Sequence, residues 1–548
     1  MVRPRTKLPG KLDFQSLPAT VRDAIVVCKL LGQQYLWVDR FCILQDDEDD
    51  KAIQIEAMSA VFSRASLVIV AASGDGVTNG LSGISRRRQG QFYKDISNIQ
   101  VNLQLPFLWD LVGPSIWDSR GWTYQEAMLS ARKIFFTDAQ VFFECTVGIN
   151  HEEHLAYSTF DPSTHKMNRK QEYSTLTSTL EYGLPRLIET QLHRPQHLWD
   201  RTELRWAAYA RHVQRYRQRS LRHKSDILNA FMGILTALYS NEKQYYGVPL
   251  PEFDLTMLWE PSSVHHRLAP KDTVAVTHDP PIEFPSWTWA SSSSEVSFSN
   301  IERNFRGSLC LWFKPGSQSD LEPIIATSDS VEVFKASEDE TKVSLALAIA
   351  HGLIEIYQNK ESMAWIELNF DDLHHAIDGK WPAYSDFWME IFGQDESLDR
   401  AKQQLTQALG APLTAGMLAT RTQVAKVNII DQKPSSLIPV GGNERAIGRV
   451  FDNSDQIRNL MRLGVPAFDC MALSISDVSS WNILSGYGKV SPEDSFTDRD
   501  GKTLKRVPVV NVLVLRRDKG CCFRIGIGQV YLKQWIDLGA RFETIVLA

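Results

Sequence analysis

Two short apolar runs, Tyr35–Val38 and Leu67–Ala72, separated by one helix-length stretch, most constrain how this chain can fold. A continuous apolar run of this length, bounded by polar residues, reads as a strand buried on both faces, the usual parallel-sheet pattern. Between them, the acidic run Asp46–Asp50 sits where a helix N-terminus favours negative charge, and Ile55, Met58, Phe62 and Ala65 then recur at helical spacing. Upstream, Thr20 and Asp23 form an expected N-terminal capping pair, Ala24, Ile25, Cys28 and Leu31 supply an apolar face, and Gly32 is the stop. Helix, strand, helix, strand in this order predicts an α/β sheet with helices on its faces.

The pattern continues irregularly over 84–116. It predicts a helix from near Trp122 to Ala131, then strands Lys133–Phe136 and Gln140–Cys145 joined by a turn at 137–139. Residues 1–16 read as a loose N-terminus and 17–150 as the α/β domain. Residues 151–260 read as mainly helical, and 261–548 as a β-rich region with a helical insertion near 391–410. In the helical part, Trp206, Tyr209, Val213 and Tyr216 share one face while Arg211, Arg215 and Arg219 take the other. The clearest C-terminal feature is a hairpin, Val509–Leu515 and Cys522–Leu532 around Asp518-Lys519-Gly520. At 548 residues the chain exceeds one core, so several domains are expected.

Charge and cysteine usage narrow the function classes. A net charge of −6 gives no global field toward nucleic acid or anionic membrane. The arginines of 201–222 lie mostly opposite the aromatics, so nucleic-acid contact is not the expected role of that helix. Seven cysteines are scattered without a CxxC pair, which argues for a reducing, cytoplasmic setting and against a structural zinc site. The apolar runs fall well short of the ~20 residues that span a bilayer, and Met1–Gly10 lacks the core of a signal peptide. A soluble protein with no membrane association is expected.

Three ordered blocks carry a family resemblance. The segment LPATVRDAI…LGQQYLWVDRFCILQDD (Leu17–Asp47) closely resembles the central signature of heterokaryon incompatibility (HET) domains. MSAVFSRASLVIVAAS…GLSG (Met58–Gly83) and RGWTYQEAMLSARKIFF (Arg120–Phe136) are similar to the family's remaining blocks, in order. YRQRSLRHKSDILNAFMGIL (Tyr216–Leu235) and FPSWTWAS (Phe284–Ser291) resemble segments that accompany the domain in long members. The resemblance implies a role in fungal non-self recognition, promoting growth arrest or cell death after incompatible cells fuse, with a protein partner or self-association. It also implies a flavodoxin-like fold, distantly similar to TIR domains, with a mostly parallel sheet. One departure stands out: the family's opening strand, of the type Y-x-x-LSYxWG, has no counterpart in Met1–Ser16, so the sheet is expected to lack its first strand.

Glu126 is the leading candidate for chemistry. It lies four residues after Trp122, on one helical face, where an indole lowers local polarity and raises a carboxyl pKa. WTYQE resembles the tryptophan-to-glutamate stretch around the catalytic glutamate of NAD-cleaving TIR domains, and such a group would steady the charge that develops on ribose. The alternative is that Glu126 pairs with Arg120 or Arg132 while Trp122 packs. The ligand-binding candidates are Asp39, Arg120 and Trp122. Asp39 is expected at the carboxyl end of a parallel strand, where ligands of open sheets bind, or as a loop cap through Cys42 and Gln45, the favoured alternative. Cys42 reads as a small buried side chain.

Other motifs are set aside. Ser73-Gly74-Asp75-Gly76 with Asn79-Gly80 follows a strand but lacks a phosphate-loop pattern, and Gly501-Lys502-Thr503 lacks the leading glycine. His151-Glu152-Glu153-His154 places its histidines at i and i+3 rather than the zincin i and i+4, so no metal is expected. Three functions then stand: a signalling and interaction module; a NAD glycohydrolase using Glu126, with NAD as substrate and no resident cofactor; and a degenerate paralogue that does neither.

Overall fold

The computed structural model describes residues 14–88, 93–96, 99–102, 105–145, 148–152, 201–240, 242–262, 284–298, 305–317, 320–325, 390, 398–430, 435–439, 446–451, 455–479 and 506–548. The loose N-terminus expected over 1–16 lies mostly outside these residues, as do Glu153, His154 and Gly501–Thr503. The chain divides into two compact units, one of Met1–His197 with Gln218–Leu238, the other of Leu198–Arg217 with Tyr239–Ala548.

The first unit opens with α1 (Ala19–Leu30), α2 (Asp39–Cys42) and α3 (Glu48–Arg64). Gly32, at φ +66°, accommodates the left-handed turn that ends α1. Asp47 starts α3, its carboxylate accepting from the backbone N–H groups of Asp49 and Asp50. The acidic run is thus a helix start, as its charge pattern required. Thr20 and Asp23 do not cap α1: its N-cap is Pro18, without a side-chain bond. Asp23 is instead buried and accepts from Leu81 N–H at 2.6 Å and from the Ser85 hydroxyl, holding the loop after the first strand.

The sheet runs β1 (Val68–Ala71), β4 (Arg132–Phe136), β5 (Val141–Cys145), β6 (Gly148–His151), with a separate hairpin of β2 (Tyr93–Ile96) and β3 (Ile99–Asn102). Residues 84–116, expected to be irregular, therefore contain this hairpin and α4 (Leu108–Val112). Only the β1–β4 pair is parallel; β4–β5 and β5–β6 are antiparallel. This corrects the expectation of a mostly parallel sheet: Thr137 closes a tight β4–β5 turn by exchanging hydrogen bonds with Gln140, and a tight turn forces antiparallel neighbours. Both faces are covered. Val70, Phe135 and Phe142 pack with Leu108 and Val112 of α4, while Phe136 packs with Val27 of α1 and Leu81.

Tyr35–Val38 is not a strand, and among the described residues no strand precedes Val68. The run is extended chain laid on α3. Trp37 meets Phe62 edge-on at 5.6 Å, Tyr35 is 90% exposed, and the Val38 N–H turns to the Cys42 sulfur at 3.4 Å. An aromatic anchor on a helix, rather than a ladder, satisfies this apolar run.

Next come α5 (Ile116–Ser119) and α6 (Trp122–Leu129). The chain then enters the second unit for α7 (Arg201–Arg217) and returns over 218–238, which carries most of α8 (Asn229–Tyr239). Gly233 of α8 lets that helix approach closely: a Cβ there would meet Gln125 Oε1 at 2.7 Å and Leu129 Cδ1 at 2.8 Å.

In the second unit, the aromatic face of α7 is buried as its spacing required, with Trp206, Tyr209, Val213 and Tyr216 at most 3% exposed. Trp289, from the FPSWTWAS segment, donates to the Tyr209 hydroxyl at 2.8 Å. Short strands β7 (Gln244–Tyr245) and β8 (Val248–Pro249) pair with each other, as do β9 (Glu260–Ser262) and β10 (Glu295–Ser297), with α9 (Phe253–Thr256) between the two pairs. A large sheet follows, of β11 (Phe305–Ser308), β12 (Trp312–Pro315), β13 (Leu321–Ile324), β14 (Leu418–Ile430), β15 (Ser435–Pro439), β16 (Gly448–Phe451), β17 (Phe468–Ser479), β18 (Arg506–Asp518), β19 (Cys521–Tyr531) and β20 (Arg541–Leu547). Its pairings close on themselves. β14 pairs β17, then β18, β19, β16 and β15 follow in turn, and β15 pairs β14 again, all antiparallel, which makes a barrel. Val427, Val450, Ala472, Val512, Val514 and Val530 share one core there with Ile457 of α11 (Asp455–Arg462) and Trp535 of α12 (Leu532–Asp537). Leu405 of α10 (Leu398–Leu409) joins the same core. The β18–β19 hairpin turns at Lys519 and Gly520, both at positive φ, as a two-residue hairpin demands.

Candidate functional site

Glu126 stands at the middle of α6, and three features fix that helix. Its C-terminal end is capped by Lys133 of β4, a buried cation whose ammonium donates to the carbonyls of Ala127 at 2.8 Å and Ser130 at 3.3 Å. The Ser130 hydroxyl turns back to the Glu126 carbonyl at 2.6 Å. At the N-terminal end, the Thr123 hydroxyl bonds the carbonyls of Trp117 at 2.5 Å and Arg120 at 2.8 Å, tying α6 to α5. The helix is therefore held against the sheet at one end and against α5 at the other.

The indole beside Glu126 belongs to Trp117, whose N–H favours the ionised carboxylate. The same ring meets Phe135 of β4 at 5.9 Å and 90°, and is packed on the core beneath α4. Trp122, the indole favoured from sequence spacing, directs its own N–H to Asp226 at 3.2 Å. Spacing along one helix found a tryptophan near the glutamate; the one whose N–H acts on the carboxylate comes from the preceding helix.

Glu126 is partly buried, and burial pushes its carboxyl up to about 7. Desolvation is the largest influence. The Arg120 guanidinium opposes it, the Asp39 carboxylate adds to it, and the Trp117 N–H and the Arg219 guanidinium oppose it further. Asp39 and Arg120 are both exposed, so a half-ionised carboxyl lies within electrostatic reach of one surface anion and one surface cation. Glu126, Asp39 and Arg120 thus act on one another electrostatically, and Trp122 is held one turn away from Glu126 along the same helix.

Asp39 arrives there differently from expectation. It is in the first turn of α2 rather than at a strand end, because the preceding run is not in the sheet. Its Oδ1 accepts from Arg40 N–H at 2.6 Å, and its carbonyl accepts from Ile43 N–H and from the Gln45 side chain at 3.4 Å. The loop closure to Gln45 uses the backbone and leaves the carboxylate facing solvent.

Arg219 is the residue that sequence reasoning misplaced. Assigned to the wet face of a helix, it lies beyond the end of α7, and its side chain is 8% exposed. It pairs with the buried Asp118, donates to the Arg120 carbonyl at 3.3 Å and to the Thr123 hydroxyl at 3.2 Å, and covers the Tyr124 ring at 4.9 Å. No local pattern marks such a residue. The available signal was the acidic–aromatic run Trp117-Asp118, which needs a cation once buried.

The set-aside motifs have ordinary roles. His151 Nδ1 is 3.2 Å from Gln140 Oε1, Glu152 pairs with Arg88, and among the described residues no group of three or more His, Cys, Asp or Glu is arranged to hold a metal. Cys42 accepts the Val38 N–H and is partly buried. Among the described residues no helix is long and apolar enough to cross a membrane.

No curated protein and no solved structure matches the chain. A family comparison does match: residues 3–126 fit the model described as Heterokaryon incompatibility protein (HET), covering α1 to α6 as far as Glu126. Residues 3–126 of this chain therefore carry a HET domain.

Proposed function

We propose that the protein acts in fungal non-self recognition, its HET domain serving as a signalling and interaction module that promotes growth arrest and cell death. The observation that carries this reading is the family match over residues 3–126. Induced expression of the full chain in a filamentous fungus tests it: hyphal growth arrests on induction, whereas growth equal to that of an uninduced control removes the reading.

A second reading is favoured by the setting of Glu126. HET domains resemble TIR domains distantly, and some TIR domains cleave NAD at the nicotinamide–ribose bond with one glutamate. A partly buried carboxyl raised to about 7, under the influence of the Trp117 indole N–H, Arg120 and Asp39, suits that chemistry. The C–N bond to nicotinamide breaks with its electron pair leaving on the pyridine nitrogen, and positive charge develops on the ribose. The ionised Glu126 carboxylate stabilises that charge, water adds to the anomeric carbon, and one proton is released with ADP-ribose. Because only the ionised form stabilises a cation, the rate rises with pH through about 7. Purified full chain mixed with NAD then releases nicotinamide, and Glu126→Gln abolishes it. If Glu126→Gln still arrests growth in hyphae, the interaction reading stands without the enzyme.

A further inference from the structure

The segment that matches the family ends at Glu126, yet the residues that fix Glu126 do not all lie within it. Trp117 and Glu126 are on separate helices, α5 and α6, so how the indole stands to the carboxylate depends on the angle between those helices. Besides the Thr123 hydroxyl, a second tie between them comes from 218–238, which belongs to the same compact unit although about 100 residues further along the chain, as the separation of 101 between Arg219 and Asp118 records.

This return segment is fitted closely. Ser220 N–H donates to the Ser119 carbonyl and Gly121 N–H to the Ser220 carbonyl, both at 2.7 Å, pinning it to the α5–α6 junction. A Cβ on Gly121 would stand 2.5 Å from Leu221 Cδ2, so a larger residue there requires the leucine side chain to move. Asp226 takes the Trp122 indole, and Gly233 seats α8 on α6.

We propose that Arg219 is a positioning residue for the Glu126 site, clamping α5 to α6 so that the Trp117 indole stays on the Glu126 carboxylate. The proposal builds on the second reading above only in calling this the working site; the clamp itself rests on geometry. Asp118, the neighbour of Trp117, gives the hold on α5. The Thr123 hydroxyl gives the hold on the first turn of α6, and the Arg120 carbonyl lies between. A planar guanidinium fork can bridge three such acceptors at once, whereas a lysine ammonium lacks that fixed fork geometry. The HET domain of this protein is accordingly a two-part module, its site completed by sequence downstream of the matched region.

The test uses the full chain labelled with 5-fluorotryptophan, the Trp117 ¹⁹F signal being identified by its absence in Trp117→Phe. In the unsubstituted protein that signal shows a pH step as Glu126 titrates, and Glu126→Gln removes the step. Arg219→Met combined with Asp118→Asn, which removes both charges of the pair, loses at least half of the step while far-UV circular dichroism is retained. Nicotinamide release falls on the order of 100-fold in the same variant, the usual effect of a small misplacement. Arg219→Lys, which keeps the charge, retains the fold and still shifts the step midpoint. A step of unchanged size and midpoint in either variant overturns the proposal, as does the absence of a step in the unsubstituted protein. If the double variant fails to fold, Arg219→Lys decides alone. A step that behaves as proposed, in a protein that releases no nicotinamide, retires the enzyme reading and leaves the clamp in place.

Discussion

The Trp117 indole lies beside the Glu126 carboxylate across the junction of two short helices, and the same ring packs on Phe135 of the central sheet. One side chain therefore couples the hydrophobic core to the candidate site. Trp117→Phe separates these two functions: it keeps a ring against Phe135 and removes the N–H. Because that N–H favours the ionised carboxylate, its loss moves the Glu126 midpoint upward from about 7, measured by the pH dependence of a ¹³C-labelled glutamate carboxyl.

Glu126 also makes the fold sensitive to pH. Its carboxyl is raised from an ordinary 4.5 to about 7, so between those values the folded chain binds its proton more tightly than the unfolded chain. Its contribution to stability is present in full below the unfolded value and is lost as pH rises through about 7. The slope has an upper bound of about 1.4 kcal/mol per pH unit. Urea unfolding of the protein and of Glu126→Gln across this window checks the sign: the difference between them must turn in favour of Glu126→Gln as pH rises.

Gly233→Ala adds a methyl where Gln125, Leu129 and Ser59 already crowd the α8–α6 contact, each within 3.1 Å of the position the new carbon would take. Such overpacking costs about 1–3 kcal/mol, and Leu129 must move for the variant to fold. Differential scanning calorimetry reads this as a lowered transition of the N-terminal unit.

Asp47→Ala removes the acceptor for the N–H groups of Asp49 and Asp50 in the first turn of α3 and costs about 1 kcal/mol, within the usual range for an N-cap. Asp49→Ala, which keeps the backbone N–H that this cap engages, costs less. Equilibrium unfolding of the pair separates a capping effect from a general charge effect.

In the barrel, buried Asn511 donates to the hydroxyls of Ser474 and Ser476 at 2.8 Å and accepts from Gln529 at 2.9 Å. Asn511→Leu fits the space and strands those partners away from water, so a loss of about 1–3 kcal/mol is expected in chemical unfolding.

The sequence made some of this visible and concealed the rest for identifiable reasons. Asp47, the β18–β19 turn and the buried face of α7 were legible because caps, two-residue hairpins and 3.6-residue periodicity are local rules. Tyr35–Val38 misled because an apolar run reports burial and leaves open whether a sheet or a helix does the burying; Trp37 on Phe62 chose the helix. In the candidate site, Glu126, Arg120 and Asp39 were each singled out from sequence, but which indole stands beside Glu126 depends on the turn joining two helices. Arg219 was hidden by the chain's long excursion before it returns to the N-terminal unit.

The ionisation of Glu126 is the most direct test of the site. With glutamate carboxyls labelled by ¹³C and the signal assigned through Glu126→Gln, a titration midpoint at about 7 is expected in the full chain. A midpoint in the ordinary range for glutamate, near 4.5, would contradict this, since it would place the carboxyl in bulk water rather than beneath Trp117.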